Sequence, residues 1–209
     1  MTRFYLAAIG LAIAVGVAVG ISRLGSTTPP ANRFAAPPAG CIEMGSTGRQ
    51  IWHAHARTAS AAALGDALES IADANRYTVS GVPMCSDYSG VVIFVVGPAR
   101  AVLARVAAVS ARYPQGKVYV QNVAAGLMSQ LAAVRRVVAT DPSGAVLTGV
   151  GPNIYTGGLH VDVRSEKWPV SERLRSRMTA AATADGAVKM PISFRVGGQT
   201  RDLPMDVSN

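Results

Sequence analysis

Two pairs of side chains in this sequence have the spacing from which chemistry can start. His53-x-His55 puts two imidazoles on one side of an extended chain, as at the beginning of a metal site. His160-x-Asp162 places an imidazole and a carboxylate at i and i+2, on one face of a strand. Neither pair is completed by its surroundings. A metal at His53 and His55 needs a third ligand, which only His160 or a distant carboxylate could supply, so a solvated strand face is the expectation. A Ser-His-Asp triad needs a nucleophile on a sharp turn, and the sequence has no G-x-S-x-G to build one. Gly45-Ser46-Thr47-Gly48 reads as a loop. Gly149-Val150-Gly151 lacks the third glycine of a dinucleotide loop and runs into a turn instead of a helix. The 12 acidic residues are dispersed, so no pair of catalytic carboxylates stands out. The expectation is a non-catalytic protein with no metal and no cofactor. Gly81, Gly90, Gly149 and Gly157 are then backbone turn positions.

The compartment is read from the N-terminus and the cysteines. Residues 4–21, FYLAAIGLAIAVGVAVGI, carry no charge and are just long enough to span a bilayer as a helix. An uncleaved signal anchor over 1–23 is expected, with a signal peptide cut after Gly20 as the alternative. Residues 24–49, rich in Pro, Ala, Ser and Thr, read as a linker lifting the folded part off the membrane. Cys41 follows Ala39-Gly40, the end of a lipoprotein box, but Pro38 stands where a bulky aliphatic belongs. In an exported chain the pair Cys41 and Cys85 is most simply a disulfide, two free thiols being the alternative.

The formal net charge is +8, and 17 of the 20 basic residues are Arg. They are scattered, and aromatic residues make up only 6% of the chain, so stacking platforms for nucleic acid are lacking and no nucleic-acid partner is expected. The balance favours anionic partners such as lipid headgroups or acidic wall polymers.

Hydrophobic periodicity then sets out the elements that must position these residues. Helices are predicted over 60–75 (Leu64, Leu68, Ile71 and Ala72 inward) and 98–112 (Val102, Leu103, Val106 and Val109 inward). Two more are predicted over 126–139 (Leu127, Leu131, Val134 and Val138 inward) and 169–183 (Val170, Leu174 and Met178 inward). Strands are predicted at 50–57, 77–83, 91–97, 117–123, 145–150, 158–163 and 190–196. Thr58 and Ser60 are cap candidates, and Asp141-Pro142-Ser143-Gly144 is a strong turn signal. A repeat organises this list. Tyr88-Ser89-Gly90 matches Tyr155-Thr156-Gly157 at an offset of 67, and Ser80-Gly81-Val82 matches Thr148-Gly149-Val150 with a one-residue gap. The predicted class is α+β. Two tandem α-β-β-α-β modules, 50–124 and 125–200, carry helices on one face of small mixed sheets, followed by a tail at 201–209.

The copies differ on their sheets. Val91–Val96 is apolar throughout, whereas Leu159–Val163 alternates. Anchored on the shared Tyr-x-Gly triplet, Ile93 and Val95 take the positions of His160 and Asp162. The first module would then have an apolar outer sheet face, marked by Ile93 and Val95, covered by the other module or by a partner. Cover by the linker or the lead strand is the alternative.

The segment Tyr155–Val163, followed by Ser171-Glu172-Arg173-Leu174, resembles the C-terminal prodomain motif of streptogrisin-type serine proteases. The doubled α-β-β-α-β order behind an export signal resembles tandem BON modules of bacterial envelope proteins. That resemblance implies an envelope-attached, non-enzymatic role. The resulting expectation is a single-pass protein of the cytoplasmic membrane with its C-terminal part extracytoplasmic, binding a protein or an envelope polymer. The alternatives are a cell-wall hydrolase and a protease-inhibitor-like module.

Overall fold

The computed structural model describes residues 34–46, 49–53, 59–184 and 189–197. The first copy contains α1 (Ala59–Asp73), β1 (Val79–Gly81), β2 (Val91–Val95), α2 (Arg100–Ser110) and β3 (Val118–Asn122). The second contains α3 (Leu127–Val138), β4 (Leu147–Asn153), β5 (Gly158–Val163), α4 (Glu172–Ala182) and β6 (Ile192–Val196). A short 3-10 turn, Ser165–Lys167, precedes α4. No helix among the described residues is long and apolar enough to cross a membrane. The expected span at 4–21 lies outside them, as do the tail, His55, Thr47, Gly48 and Thr58.

Both copies have one topology. The sheets are ordered β1-β2-β3 and β4-β5-β6, each centre strand antiparallel to the first strand and parallel to the third. Even an irregularity is shared. The register slips between Val79 and Gly81 in β1, and between Leu147 and Gly149 in β4. Parallel pairing requires a helical crossover, which α2 and α4 supply. The apolar stripes of α1 and α2 bury Leu64, Leu68, Ile71, Val102, Val106 and Val109 against Val79, Val91, Ile93 and Val95. The second core joins Ala133, Val137, Val170, Met178 and Ala182 to Leu159, Val161 and Val163.

The structure corrects three expectations. First, Ile93 and Val95 are not on the outer face; both are fully buried beneath α1 and α2. The strands of the two copies align at an offset of 68 (Val79 to Leu147, Val95 to Val163), not the 67 of the Tyr-x-Gly triplets. A one-residue slip turns every side chain of a strand to the opposite face. The apolar outer face exists, but Val92 and Phe94 carry it.

Second, α3 is rotated about its axis. Gln130, Ala133 and Val137 are buried; of the predicted stripe Leu127, Leu131, Val134 and Val138, Val134 packs on the core, Leu127 and Leu131 are half-buried and Val138 is 48% exposed. The buried Gln130 amide donates to Ser80 Oγ at 2.7 Å and to the Ala125 carbonyl at 2.8 Å. Ser80 in turn donates to the Ile154 carbonyl at 2.8 Å. A buried amide needs partners; the Gln130 nitrogen finds one in the bulge of the first copy and one at Ala125, while its Oε1 is buried without a partner among the described residues.

Third, the linker belongs to the fold from Phe34 onward. Phe34 packs on the first core, and the Val120 N–H donates to the Ala35 carbonyl at 3.0 Å along the edge of β3. Of the strand predicted at 50–57, residues 54–57 lie outside the described residues, and among 50–53 there is a single bridge, Gln50 to Met44.

The turn before β4 is built around one carboxylate. Asp141 accepts the N–H groups of Val146 and Leu147, each at 2.8 Å. The Leu147 N–H, foremost among these bonds, holds the Asp141 carboxyl below its ordinary 3.8. A carboxylate depressed in the folded state stabilises above its unfolded pKa and loses that contribution as pH falls through the folded value. Asp141→Ala should therefore cost about 1 kcal/mol at pH 7, as lost caps do. The gap should close as pH drops below about 3.8, and urea titrations of both proteins at pH 7 and pH 3 check it. An equal deficit at both pH values would show that the ionised form plays no part.

Candidate binding surface

The outer faces of the two sheets are treated differently. In the first copy Val92 and Phe94 lie beneath a cap made by the Cys41–Cys85 disulfide, Ile42 and Tyr155, with Tyr119 of β3 and the following Val123 packed beside them. Tyr155 comes from the β4–β5 turn of the second copy. Its ring meets Phe94 edge-on at 5.8 Å, and its hydroxyl donates to Gln50 Oε1 at 3.3 Å. Gln50 Nε2 donates onward to the Met84 carbonyl at 2.7 Å. The predicted disulfide is thus present, and it pins the 41–46 segment over the sheet. The second copy and the former linker close this face together.

In the second copy the equivalent face is polar, and no such cap covers it among the described residues. His160 and Asp162 stand on β5, with Ser193 and Arg195 beside them on β6. Across from them β4 offers Gly151 and Gly149. The imidazole lies over Gly151, where an added Cβ would come within 2.6 Å of the ring. This is a local reason for glycine on β4, separate from the turn role expected of Gly149.

The groups on this face are already engaged. Arg195 holds Asp162 through both of its oxygens, Nε to Oδ1 and Nη2 to Oδ2. Ser193 Oγ donates to the Leu159 carbonyl at 3.2 Å. His160, Asp162 and Ser193 therefore share a face, but the carboxylate orients a guanidinium and the hydroxyl serves the backbone. A triad needs both directed at the imidazole. Burial, aided by the nearby Arg195 charge, pushes the His160 pKa below its ordinary 6.5, while Asp162 opposes the shift.

The neutral imidazole is the favoured folded form. Its contribution to stability is full above the unfolded pKa and is lost as pH falls through the folded one. In NMR titrations His160 should show a midpoint below 6.5, and Arg195→Gln should raise it. A midpoint indifferent to that substitution would remove the Arg195 field as a cause.

His53, the other histidine singled out from the sequence, is exposed with its Nε2 3.1 Å from Glu43 Oε2. Among the described residues no group of three or more His, Cys, Asp or Glu is placed to hold a metal. Sequence reasoning did not single out the shallow groove of about 450 Å³ beside α4. It is lined by Val146, Lys167, Pro169, Ser171, Arg173, Leu174 and Arg177. The signal was available, because Arg173 and Arg177 are one helical turn apart. The scatter of arginines along the chain concealed it.

Compared with protein-family models, curated proteins and solved structures, the chain matches none.

Proposed function

We propose that the protein is a membrane-anchored, extracytoplasmic binding or assembly component of a bacterial cell envelope. The anchor is the apolar run at 4–21. The two copies divide the work. The first is a closed structural lobe, and the second presents its sheet to a protein or an envelope polymer. One observation carries this reading: the same sheet face is sealed by a disulfide-pinned cap in one copy and, among the described residues, is polar and uncapped in the other. A duplicated surface that is closed once and open once points to recognition at the open one. A disulfide at the centre of the cap accords with an oxidising compartment.

Two measurements test the proposal. Protease added to spheroplasts expressing the full chain should degrade it while it floats with the membrane fraction. Full-length protein should then capture a partner from solubilised envelopes, and Ser193→Lys should abolish the capture. Protease resistance in intact spheroplasts would end the extracytoplasmic reading, and capture unaffected by Ser193→Lys would end the role of this face. The hydrolase alternative has His160, Asp162 and Ser193 on one face in its favour, but their hydrogen bonds are committed elsewhere.

A further inference from the structure

The two copies also differ at one sheet edge. In the first, Lys117 O and Val123 N bond to β2, so the backbone groups of Val118, Val120 and Asn122 point outward. The Val120 N–H is taken by Ala35, which runs parallel to β3 as an added strand residue. In the second copy β6 holds the same place. Val118 pairs with Val91, and Ile192 pairs with its counterpart Leu159. Pro191 O and Gly197 N bond to β5, so the outward groups are those of Ile192, Phe194 and Val196. Among the described residues these have no strand partner, and β6 is the last strand of its sheet. An unpaired strand edge is a template for another strand.

We propose that β6 pairs with β6 of a second copy of this chain, antiparallel about a two-fold axis through Phe194, joining the two three-stranded sheets. The proposal rests on the reading of the second copy as the recognition lobe. Its occupant follows from the register. A two-fold at Phe194 sets Ile192 opposite Val196 of the partner subunit, so the outward N–H and C=O groups of all three residues meet in hydrogen-bonded pairs. On the helix-covered face, Val196, 43% exposed in the single chain, gains an isoleucine neighbour. On the polar face Arg195 falls opposite Ser193 of the partner subunit. Centring the axis on Arg195 would instead oppose two guanidinium groups, and like charges directly opposite destabilise a pair. An isologous contact of this kind closes after two subunits and leaves β4 as the outer edge.

The experiment uses the full chain in a mild non-ionic detergent, with mass measured by light scattering over roughly 1–50 µM, the range in which a modest dimer dissociates. The parent should dimerise. Val196→Pro should weaken dimerisation by roughly tenfold or more, because its lost N–H points outward and the β5–β6 ladder is spared. Its circular dichroism should match the parent; if it does not fold, Val196→Lys takes its place as an edge blocker. Oxidising a mixture of Ser193→Cys and Arg195→Cys chains should give a covalent mixed dimer, since residues 193 and 195 of opposite chains form the close pair.

A monomeric parent would overturn the proposal. So would a dimer indifferent to Val196→Pro that gives no mixed crosslink. A monomeric parent whose capture of a different envelope protein is lost in Val196→Pro would assign the edge to a foreign strand and equally end self-pairing. Spheroplast location and membrane flotation are read separately, so a monomer that still resides in the envelope sinks this inference alone.

Discussion

Replacing Gly157 by alanine should lower the stability of the protein by about 3 kcal/mol, the sum of left-handed strain and overpacking. Gly157 ends the β4–β5 turn with φ of +68°. A Cβ there would come within 2.5 Å of the Ala125 nitrogen and 2.6 Å of the Ala124 nitrogen. Both atoms are backbone, so neither can swing away. Ala124 and Ala125 connect the two copies, and the Ala124 N–H donates to the Thr156 carbonyl at 3.2 Å. The glycine therefore lets the second hairpin seat against the joint and carry Tyr155 over Phe94. Gly144 provides the control. Its φ is +64°, but nothing lies within 4 Å of an added Cβ. Gly144→Ala should cost only about 1–2 kcal/mol, the strain term alone. Urea midpoints of the two variants make the comparison. Equal losses would show that backbone conformation, and not close approach, demands glycine at 157.

Removing the disulfide should cost about 4 kcal/mol in the chain-entropy account, for a loop with a sequence separation of 44. The effect reaches beyond chain entropy, because both cysteines are buried in the cap over Val92 and Phe94. In the double variant Cys41→Ser, Cys85→Ser, residues 34–46 still hold to the first copy through Phe34 on its core, the Ala35 bridge, the Cys41–Ser86 backbone bond and the Glu43 N–H to Ser86 Oγ bond. The expected result is a lower urea midpoint together with dye binding at the uncovered apolar face. Alkylation under denaturing conditions should label neither cysteine before reduction and both afterwards. A double variant as stable as the parent would mean that packing alone holds the cap.

Much of this fold was legible locally. The stripes of α1 and α2 repeat at helical spacing, so Leu64, Leu68, Ile71, Val102, Val106 and Val109 could be placed in the core without knowing what they face. Asp141 to Gly144 marked a turn through its own side chains. The Pro- and Ala-rich stretch from Phe34 carried no period, so its packing on β3 left no local trace. The candidate residues divided the same way. The alternation in β5 put His160 and Asp162 on the outer face, but their partners Ser193 and Arg195 are 33 residues downstream and are brought alongside only by the parallel pairing of β6.

The amino-acid sequence alone set out the order of the four helices and the six sheet strands, the doubling, and a disulfide as the simplest state of the two cysteines, because these rest on spacing, repetition and the count of thiols. Tertiary structure decided which face of β2 looks outward and which side of α3 looks in. Val91 to Val95 is apolar at every position and carries no alternation, so its orientation comes from the strands beside it. Gln130 is polar and would be placed at the surface, yet it is buried because Ser80, in the other copy, supplies an acceptor there. Both outcomes depend on groups distant in the chain meeting in space.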